Sequence, residues 1–550
     1  MSDLSDRVGT DSVLSSARVE WDATLTARRE AMLGVVVGLV LWVIGLVQSP
    51  VPGVNESHWL GKARAAWDAS YCPGDFFYAS TSAHFVFLTL MGPLTLVAPL
   101  PVVAVIGRLV ASLVVGIALT RLTRRVVPGM WPAAILLFLM YQMMGNLSGE
   151  WLVGGVEAKQ FGYAALMMAI VDLGASRWVR AAAWLGGAIA FHPVIGGWGA
   201  VAITAALGMR RPVGVPWGRA VLVAAACAAP GLVPAVSMLR ESPSPAIAQA
   251  AALEQVYGRL RHHLDPTDFS GTEIVWYAIL SSAWLLSIRD RGTTEALGDT
   301  GWWLRQVVNL SAVFAGVGFV VGFGAAGLDG RLDLADGAGA GPLGPWSIRA
   351  ASLLKFYPFR LFDLLLPLGV ACVVGLAFPI ATTARTAIVA IVTFSVCMSL
   401  VTTSPLLGEV SDSKLTPQLW ADFRDAAGWI RTATPNESLV VTPTFSRDFK
   451  WYAERAEYVC HKDCPQDAAG VVEWRRRMNY WKTWRQTAFA TAGAGDPITP
   501  GELAGLARDT RATHLLIHAA VTVEAEPVFR NATFAVYELP PPNAAAPAAD

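Results

Sequence analysis

Charge is what this sequence has least of. Aspartate, glutamate, lysine and arginine make up 15% of its 550 residues, about ten points below the ~25% of an ordinary soluble domain, so water is not its main solvent. The 42 basic residues balance the 42 acidic ones. A net charge of zero gives the molecule no overall field with which to draw nucleic acid or another polyanion. Cysteine is sparse too: of six, Cys227, Cys372 and Cys397 lie in apolar runs, as core thiols do, while Cys460 and Cys464 fall together in the more polar C-terminal part. No small-x-small cleavage site follows the first apolar run, which ends at Gln48-Ser49-Pro50. That run therefore reads as a retained helix and not as a signal peptide. Nor do the two halves of the chain repeat each other, as the halves of many transporters do.

What the sequence does have is long apolar runs: Ala31 to Val47, Val102 to Thr120, Ala181 to Met209, Ala220 to Leu239, Val307 to Phe323, Leu361 to Ile380 and Ala387 to Val401. Each can cross a ~30 Å hydrocarbon layer. The positive-inside rule puts the N-terminal segment 1–30, with Arg18, Arg28 and Arg29, in the cytoplasm and the loop 50–82 outside. Arg121, Arg124 and Arg125 belong inside again, which allows one crossing between them and that loop. Val102 to Thr120 is taken as the crossing. Ala83 to Ala98, with Pro93 inside it and Pro99 and Pro101 after it, is taken as a re-entrant or surface-lying helix. Ala181 to Met209 carries arginines at both ends and is read as two short helices meeting at His192-Pro193 near the outer face. The Gly-rich stretch Gly322 to Gly344 reads as a flexible outer loop.

The result is an α-helical polytopic membrane protein with about eleven transmembrane helices over 31–403, N-terminus inside, and a soluble extracytoplasmic domain over 412–539. In that domain Trp420 to Arg431 and Glu502 to Arg508 have helical spacing, and Ser438 to Val441, His514 to Ile517 and Phe534 to Glu538 read as strands. This is a small α/β unit, and the Pro- and Ala-rich tail 540–550 is expected to be disordered. Within Cys460-His461-Lys462-Asp463-Cys464, two thiolates and one histidine are an incomplete metal set, and an outer location suits a disulfide between Cys460 and Cys464.

Candidate chemistry gathers on the outer side. Loop 50–82 holds Glu56, His58 and Asp75 among Trp59, Trp67, Tyr71, Phe76, Phe77 and Tyr78; carboxylates can serve as base or metal ligand, and flat aromatic faces suit sugar rings. The same composition describes an interfacial aromatic belt. Glu157 and Lys159 stand at the mouth of a helix, as a site or as an exposed ion pair. His192 is an ionisable group within an apolar stretch, either functional or capping a helix break. Arg360 and Asp363, three apart, can pair on one helix face, or Arg360 can bind a phosphate in bidentate fashion. Arg108, a lone charge in the second crossing, can do likewise or snorkel.

Asn55-Glu56-Ser57-His58-Trp59-Leu60, Gly74-Asp75-Phe76-Phe77, Glu157-Ala158-Lys159, His192-Pro193, Tyr357-Pro358-Phe359-Arg360 and, in the tail, Arg455, Lys462 to Pro465 and Glu473-Trp474 with Arg477 together resemble an uncharacterised bacterial membrane family. The architecture is similar to the GT-C class of membrane glycosyltransferases, which use lipid-linked sugars. The resemblance implies a protein of the bacterial inner membrane that transfers a sugar from a polyprenyl-phosphate-linked donor at the outer face. It casts Glu56 as the base, supported by His58, with Asp75, Arg108, Glu157, Lys159, His192, Arg360 and Asp363 around the substrate. No Asp-x-Asp or Glu-x-Asp pair follows Glu56, so a divalent metal ion stays an open part of the picture. A transporter of a small molecule or lipid-linked glycan, and a non-catalytic membrane scaffold, are the competing readings.

Overall fold

The computed structural model describes residues 28–240, 243–332, 343–377, 416–443, 448–493 and 496–541. The helical part comprises α1 (Arg28–Gln48), α2 (Glu56–Ala65), α3 (Phe85–Val97), α4 (Leu100–Val126), α5 (Trp131–Met144), α6 (Ala158–Gly174), α7 (Trp178–Phe191), α8 (Pro193–Arg210), α9 (Trp217–Arg240) and α10 (Pro245–Leu253). A π-helical turn, Glu254–Arg259, joins α10 to α11 (Arg261–Leu264), and α12 (Gly271–Arg289), α13 (Arg291–Ala296), α14 (Gly298–Leu328), α15 (Pro345–Leu354) and α16 (Arg360–Ala377) complete it. Among the described residues α1, α4, α9, α12 and α14 are long and apolar enough to cross a membrane. Val36, Ile106, Leu222, Val233, Ile279 and Val320 on these helices are exposed, which hydrocarbon tolerates and water does not.

Small residues set the closest approach. Gly34-x-x-x-Gly38 of α1 meets Gly116 of α4, and a Cβ on Gly116 would lie 2.3 Å from the Gly38 nitrogen. Small residues four apart let two backbones touch where apolar solvent supplies no hydrophobic drive. Glu30 at the start of α1 lies 3.9 Å from Arg124 and Arg125 at the end of α4, so these two helices run antiparallel and 49–99 belongs to the opposite end. Asp172, Arg177 and Arg180 at the α6–α7 turn and Arg210 with Asp299 at the α8–α14 junction form further ionic clusters at helix ends.

Several expectations need adjustment. Within Ala83 to Ala98, α3 is a helix of 13 residues, Phe85–Val97, packed on α2 with Gly92 beneath the Trp67 indole. The loop expected over Gly322 to Gly344 begins later: α14 continues to Leu328 because Gly322 leaves room for Pro266, which a Cβ would meet at 2.3 Å, and Ala326 is buried. Gly344 already precedes α15. The run Ala387 to Val401, the last of the eleven expected crossings, and the tail 542–550 lie outside the described residues.

The C-terminal part is a three-layer sandwich. A mixed five-stranded sheet has the order β2-β1-β3-β5-β4, with β1 (Leu439–Val441) parallel to β2 (Ala456–Glu457) and β3 (His514–His518), and β5 (Phe534–Glu538) antiparallel to β3 and to β4 (Phe529–Arg530). Alternation along the strands supplies both faces. Leu516, Phe534 and Val536 face α17 (Pro417–Ala433) and α18 (Phe449–Ala453), whereas Leu515, Ile517, Ala535 and Tyr537 face α19 (Ala468–Gly493) and α20 (Pro500–Thr510). The long helix α19 carries Trp474 and Trp481 into the core and was not foreseen, because its Arg475-Arg476-Arg477 run breaks the apolar spacing.

Gly38→Leu places a side chain where the Leu113 backbone lies 2.6 Å from the ideal Cβ. We expect it to separate α1 from α4 and to cost at least the roughly 1–3 kcal/mol of overpacking. Thermal unfolding in detergent checks this, and a variant that melts with the parent contradicts the close crossing.

Candidate active site

Glu56 opens α2 and is fully buried, as is Arg108 in the middle of α4. The guanidinium grips the carboxylate bidentately, Nε to Oε1 at 2.7 Å and Nη2 to Oε2 at 2.6 Å. The amides of Val156 and Gly53 donate to the same two oxygens at 2.8 and 2.7 Å. The remaining Arg108 protons go to the carbonyls of Gly45, Ser49 and Pro50. A carboxylate accepting four hydrogen bonds away from solvent has no lone pair to offer a substrate. Glu56, expected as a base, and Arg108, expected at a phosphate, instead bond each other here: the two form a structural clamp that ties α1, α2, α4 and the loop before α6.

Asp75 is likewise structural. It accepts from the Tyr78 and Glu457 amides at 2.8 and 3.1 Å and from Lys450 Nζ at 2.9 Å. Lys450, in α18 of the soluble domain, reaches Asp463 Oδ2 at 2.7 Å, and the other oxygen of Asp463 lies 2.6 Å from His58 Nδ1. Burial opposes the ionised form of Asp463, but Lys450 and the His58 hydrogen bond outweigh it and hold the carboxyl well below its usual range. Burial pushes His58 down to about 3. The imidazole is thus neutral and, since the carboxylate has no proton to give, it donates Nδ1–H and keeps Nε2 as an acceptor. Ser57 Oγ to Asp448 at 2.6 Å and the Ala83 amide to Gln466 at 2.8 Å add to this seam between loop 50–84 and the soluble domain.

Cys460 and Cys464 are free and buried, so the expected disulfide is not formed. Their surroundings differ: Cys464 Sγ donates to the Pro465 carbonyl, whereas Cys460 Sγ sits with the carboxylates of Glu457 and Asp463. Burial raises both thiols, Cys464 to about 12, and a neutral thiol neither attacks nor ligates. The Glu457–Cys460–Asp463 group has the shape of a cation site, but both Asp463 oxygens are already engaged by Lys450 and His58.

The expected Arg360–Asp363 pair is also replaced. Asp363, fully buried in the first turn of α16, accepts from the amides of Leu147, Ser148 and Glu150 at 2.6, 3.0 and 2.8 Å and so shapes the loop between α5 and α6. It does not face the cavity. Arg360 turns the other way: its Nε meets Glu150 Oε2 at 2.7 Å and its Nη1 lies 3.3 Å from His192 Nε2. Lys159 lies 3.7 Å from both Glu150 and Glu157 and 3.7 Å above the Trp151 ring. Glu157 accepts from Asn55 Nδ2 at 2.7 Å and caps α6. His192 stands at the α7–α8 junction with Nδ1 3.3 Å from the Ile195 amide. A neutral imidazole has one acceptor nitrogen, so capping α8 and accepting from Arg360 compete.

These groups wall a cavity of about 820 Å³. Of the residues singled out in the sequence, His58, Glu157, Lys159, His192 and Arg360 line it; Glu56, Asp75, Arg108 and Asp363 do not. The structure adds His84, Arg259, His262, His263, Lys355 and Lys462 to the lining. Rings run in file from His58 to Trp59 (4.4 Å between centroids), His84 (4.7 Å) and His192 (4.8 Å), ending on Arg360. Five cationic side chains face the cavity against one carboxylate, Glu157. The first turns of α6, α8 and α16 also wall it, and helix N-termini carry positive partial charge. The lining also has an apolar part: Val194, Trp198 and Val201 of α8, and Leu232, Ala235 and Val236 of α9.

Asp448, Lys450, Glu457 and Asp463, which complete this site from the soluble side, fall in one stretch. Residues 421–480 carry a domain of unknown function, DUF6798. That segment covers most of α17, then β1, α18, β2 and the first half of α19. No curated protein matches the chain.

Two outcomes follow. Truncating Arg108 to Ala leaves a buried carboxylate unpaired and should cost about 3–5 kcal/mol, and Glu56→Gln should lower the unfolding temperature as well; unchanged melting of both variants contradicts the clamp. Burial also holds His84 at about 4 and His263 at about 3. Like His58, these rings are neutral when folded and titrate near their ordinary value when unfolded, so unfolding takes up protons. Their contribution is complete above pH 6.5 and is lost as pH falls through that value toward the folded one, by roughly 2 kcal/mol per imidazole at pH 5. Melting temperatures between pH 7.5 and 5 should therefore drop, and drop less in His84→Gln. A flat profile contradicts the buried neutral histidines.

Proposed function

We propose that this chain binds a membrane lipid whose head is a phosphate-linked sugar and transfers that sugar to an acceptor hydroxyl at the outer face. The observation that carries the reading is the mixed lining of the cavity, which combines five cationic side chains and three helix N-termini with apolar side chains of α8 and α9. An anion with a long apolar tail matches both parts of that lining at once. Val201 and Leu232 in the apolar part are themselves partly exposed, which leaves the tail a lateral way in between α8 and α9.

In this reading Arg360 and Lys159 hold the donor phosphate, with Glu150 fixing both. His58, oriented by Asp463, takes the place that the sequence had given to Glu56. The acceptor oxygen attacks the anomeric carbon as its proton passes to His58 Nε2. The bond from that carbon to the phosphate oxygen breaks, and its electron pair leaves with the phosphate, whose growing charge faces the two cations. The resemblance to GT-C enzymes agrees with this chemistry. The same reading has the N-terminus in the cytoplasm, eleven crossings, the soluble domain outside and a bacterial inner membrane as location.

Native mass spectrometry of the purified chain with polyprenyl phosphate and with the uncharged polyprenol tests the binding step. We expect at least tenfold preference for the phosphate, lost in Arg360→Gln; equal retention of both lipids would sink the proposal. In a transfer assay His58→Gln should lower the rate about 10²–10⁴-fold, the contribution of a general base, with lipid binding unchanged.

A further inference from the structure

The cations of the cavity fall into two groups. Arg360 and Lys159 share Glu150 and adjoin His192. Arg259 belongs elsewhere: its Nη2 donates to the Lys462 carbonyl at 2.8 Å, and Lys462 is next in sequence to Asp463, the partner of His58. His262 lines the cavity beside them, and Lys462 and Arg259 are the cations whose charge reaches both His58 and His262.

Two features of Arg259 are not explained by packing. It closes the π-helical turn Glu254–Arg259, a conformation with poor hydrogen-bond geometry that is found mostly at functional sites. Its Nε is buried and has no hydrogen-bond partner, although an orphaned donor of a charged group is costly. The carboxylate on the same turn, Glu254, pairs with Arg475 at 3.3 Å, and the carboxylate lining the cavity, Glu157, is engaged by Asn55 and Lys159. Arg259, His262 and Lys462 thus line one stretch of the cavity close to His58, the imidazole that carries the acceptor nitrogen.

We infer that Arg259, His262 and Lys462 form a second anion-binding subsite, which holds a phosphate or carboxylate group of the acceptor and so presents its hydroxyl to His58. The assignment to an acceptor rests on the transfer reading above; the anion subsite itself does not. Donor and acceptor are then both anionic, each on its own pair of cations, with the file of rings between them.

Calorimetry on the full chain in uncharged detergent separates the two. The probes are inorganic phosphate for the second subsite and farnesyl phosphate for the lipid site. Phosphate should still bind when farnesyl phosphate is saturating. Arg259→Gln should weaken phosphate at least tenfold and farnesyl phosphate less than twofold, Arg360→Gln should do the reverse, and Arg259→Lys should recover most of the phosphate affinity. Lys462→Ala, checked for parental melting, serves as the second variant if Arg259→Gln does not fold. Competition of the two probes for one site, or phosphate binding indifferent to Arg259 and Lys462, overturns the subsite. Phosphate binding through Arg259 with no farnesyl phosphate binding keeps the subsite but overturns its link to an acceptor together with the lipid reading. Glucuronate as a third probe tells the sources apart: tighter binding than phosphate supports a carboxylate acceptor, weaker binding a phosphorylated one.

Discussion

A carboxylate and a guanidinium, both withdrawn from water, hold the end of the helical bundle next to the C-terminal domain in one arrangement. Such a pair is tolerated only when every proton and lone pair is answered. Here the Glu56 carboxylate accepts two guanidinium bonds and two amide bonds, and Arg108 spends its other donors on the carbonyls at the end of α1. The clamp therefore fixes four segments relative to one another. One of them, the turn at Val156, sets Glu157 and Lys159 at the start of α6; another, α2, sets His58. The clamp thus positions the part of the cavity wall that α2 and the start of α6 supply, even though neither clamp residue lines the cavity.

Asp75 and Asp363 repeat this pattern. Each is a buried carboxylate held by backbone amides, Asp75 by Lys450 as well, and each shapes a segment that reaches the cavity: Asp75 the seam to the C-terminal domain, Asp363 the loop that carries Glu150. Polar groups at this end of the helices thus divide into those that build and those that line the cavity. Members of both kinds are buried; their partners separate them, and sequence carries little sign of those.

This division explains what was legible beforehand. Apolar runs located the helices well, because hydrophobic length is a property of one segment; even the break at His192-Pro193 was readable, from arginines at both ends of one run and a proline within it. Alternation gave β3 and β5 nearly to the residue. Pairings were not readable, since Glu56 and Arg108 are 52 positions apart and His58 and Asp463 are 405. Glu56 and Asp75 drew attention as carboxylates in an outer loop, yet Asp463, hidden in a cysteine-flanked pentapeptide, orients the histidine. The disulfide failed for a related reason. Spacing brought Cys460 and Cys464 together in sequence, but burial turned one sulfur to the Asp463 cluster and the other to Pro465. Arg259, His262 and His263 had no pattern at all; only the π-helical turn, invisible in sequence, brings them to the site.

The charge balance of the cavity argues that its arrangement serves a ligand and not the fold. Arg360 and Lys159 are drawn together by Glu150, which lies behind them, so their repulsion is reduced without their donors being used up. Arg259 keeps a buried donor unanswered. A fold under selection for stability alone would neutralise such groups or expose them, because each cation held next to another in a poorly hydrated space costs free energy. Fixed positive charge that is paid for in folding and left open to a cavity is preorganisation: when negative charge arrives there, nothing has to move to meet it. The same holds for His58, which lines the cavity and whose Nδ1 proton is already committed to Asp463. Because Asp463 and Lys450 come from the C-terminal domain while His58 comes from α2, the Lys450–Asp463–His58 chain exists only where the two parts of the chain meet. Lys462, Pro465 and Gln466 make the C-terminal domain part of the cavity lining.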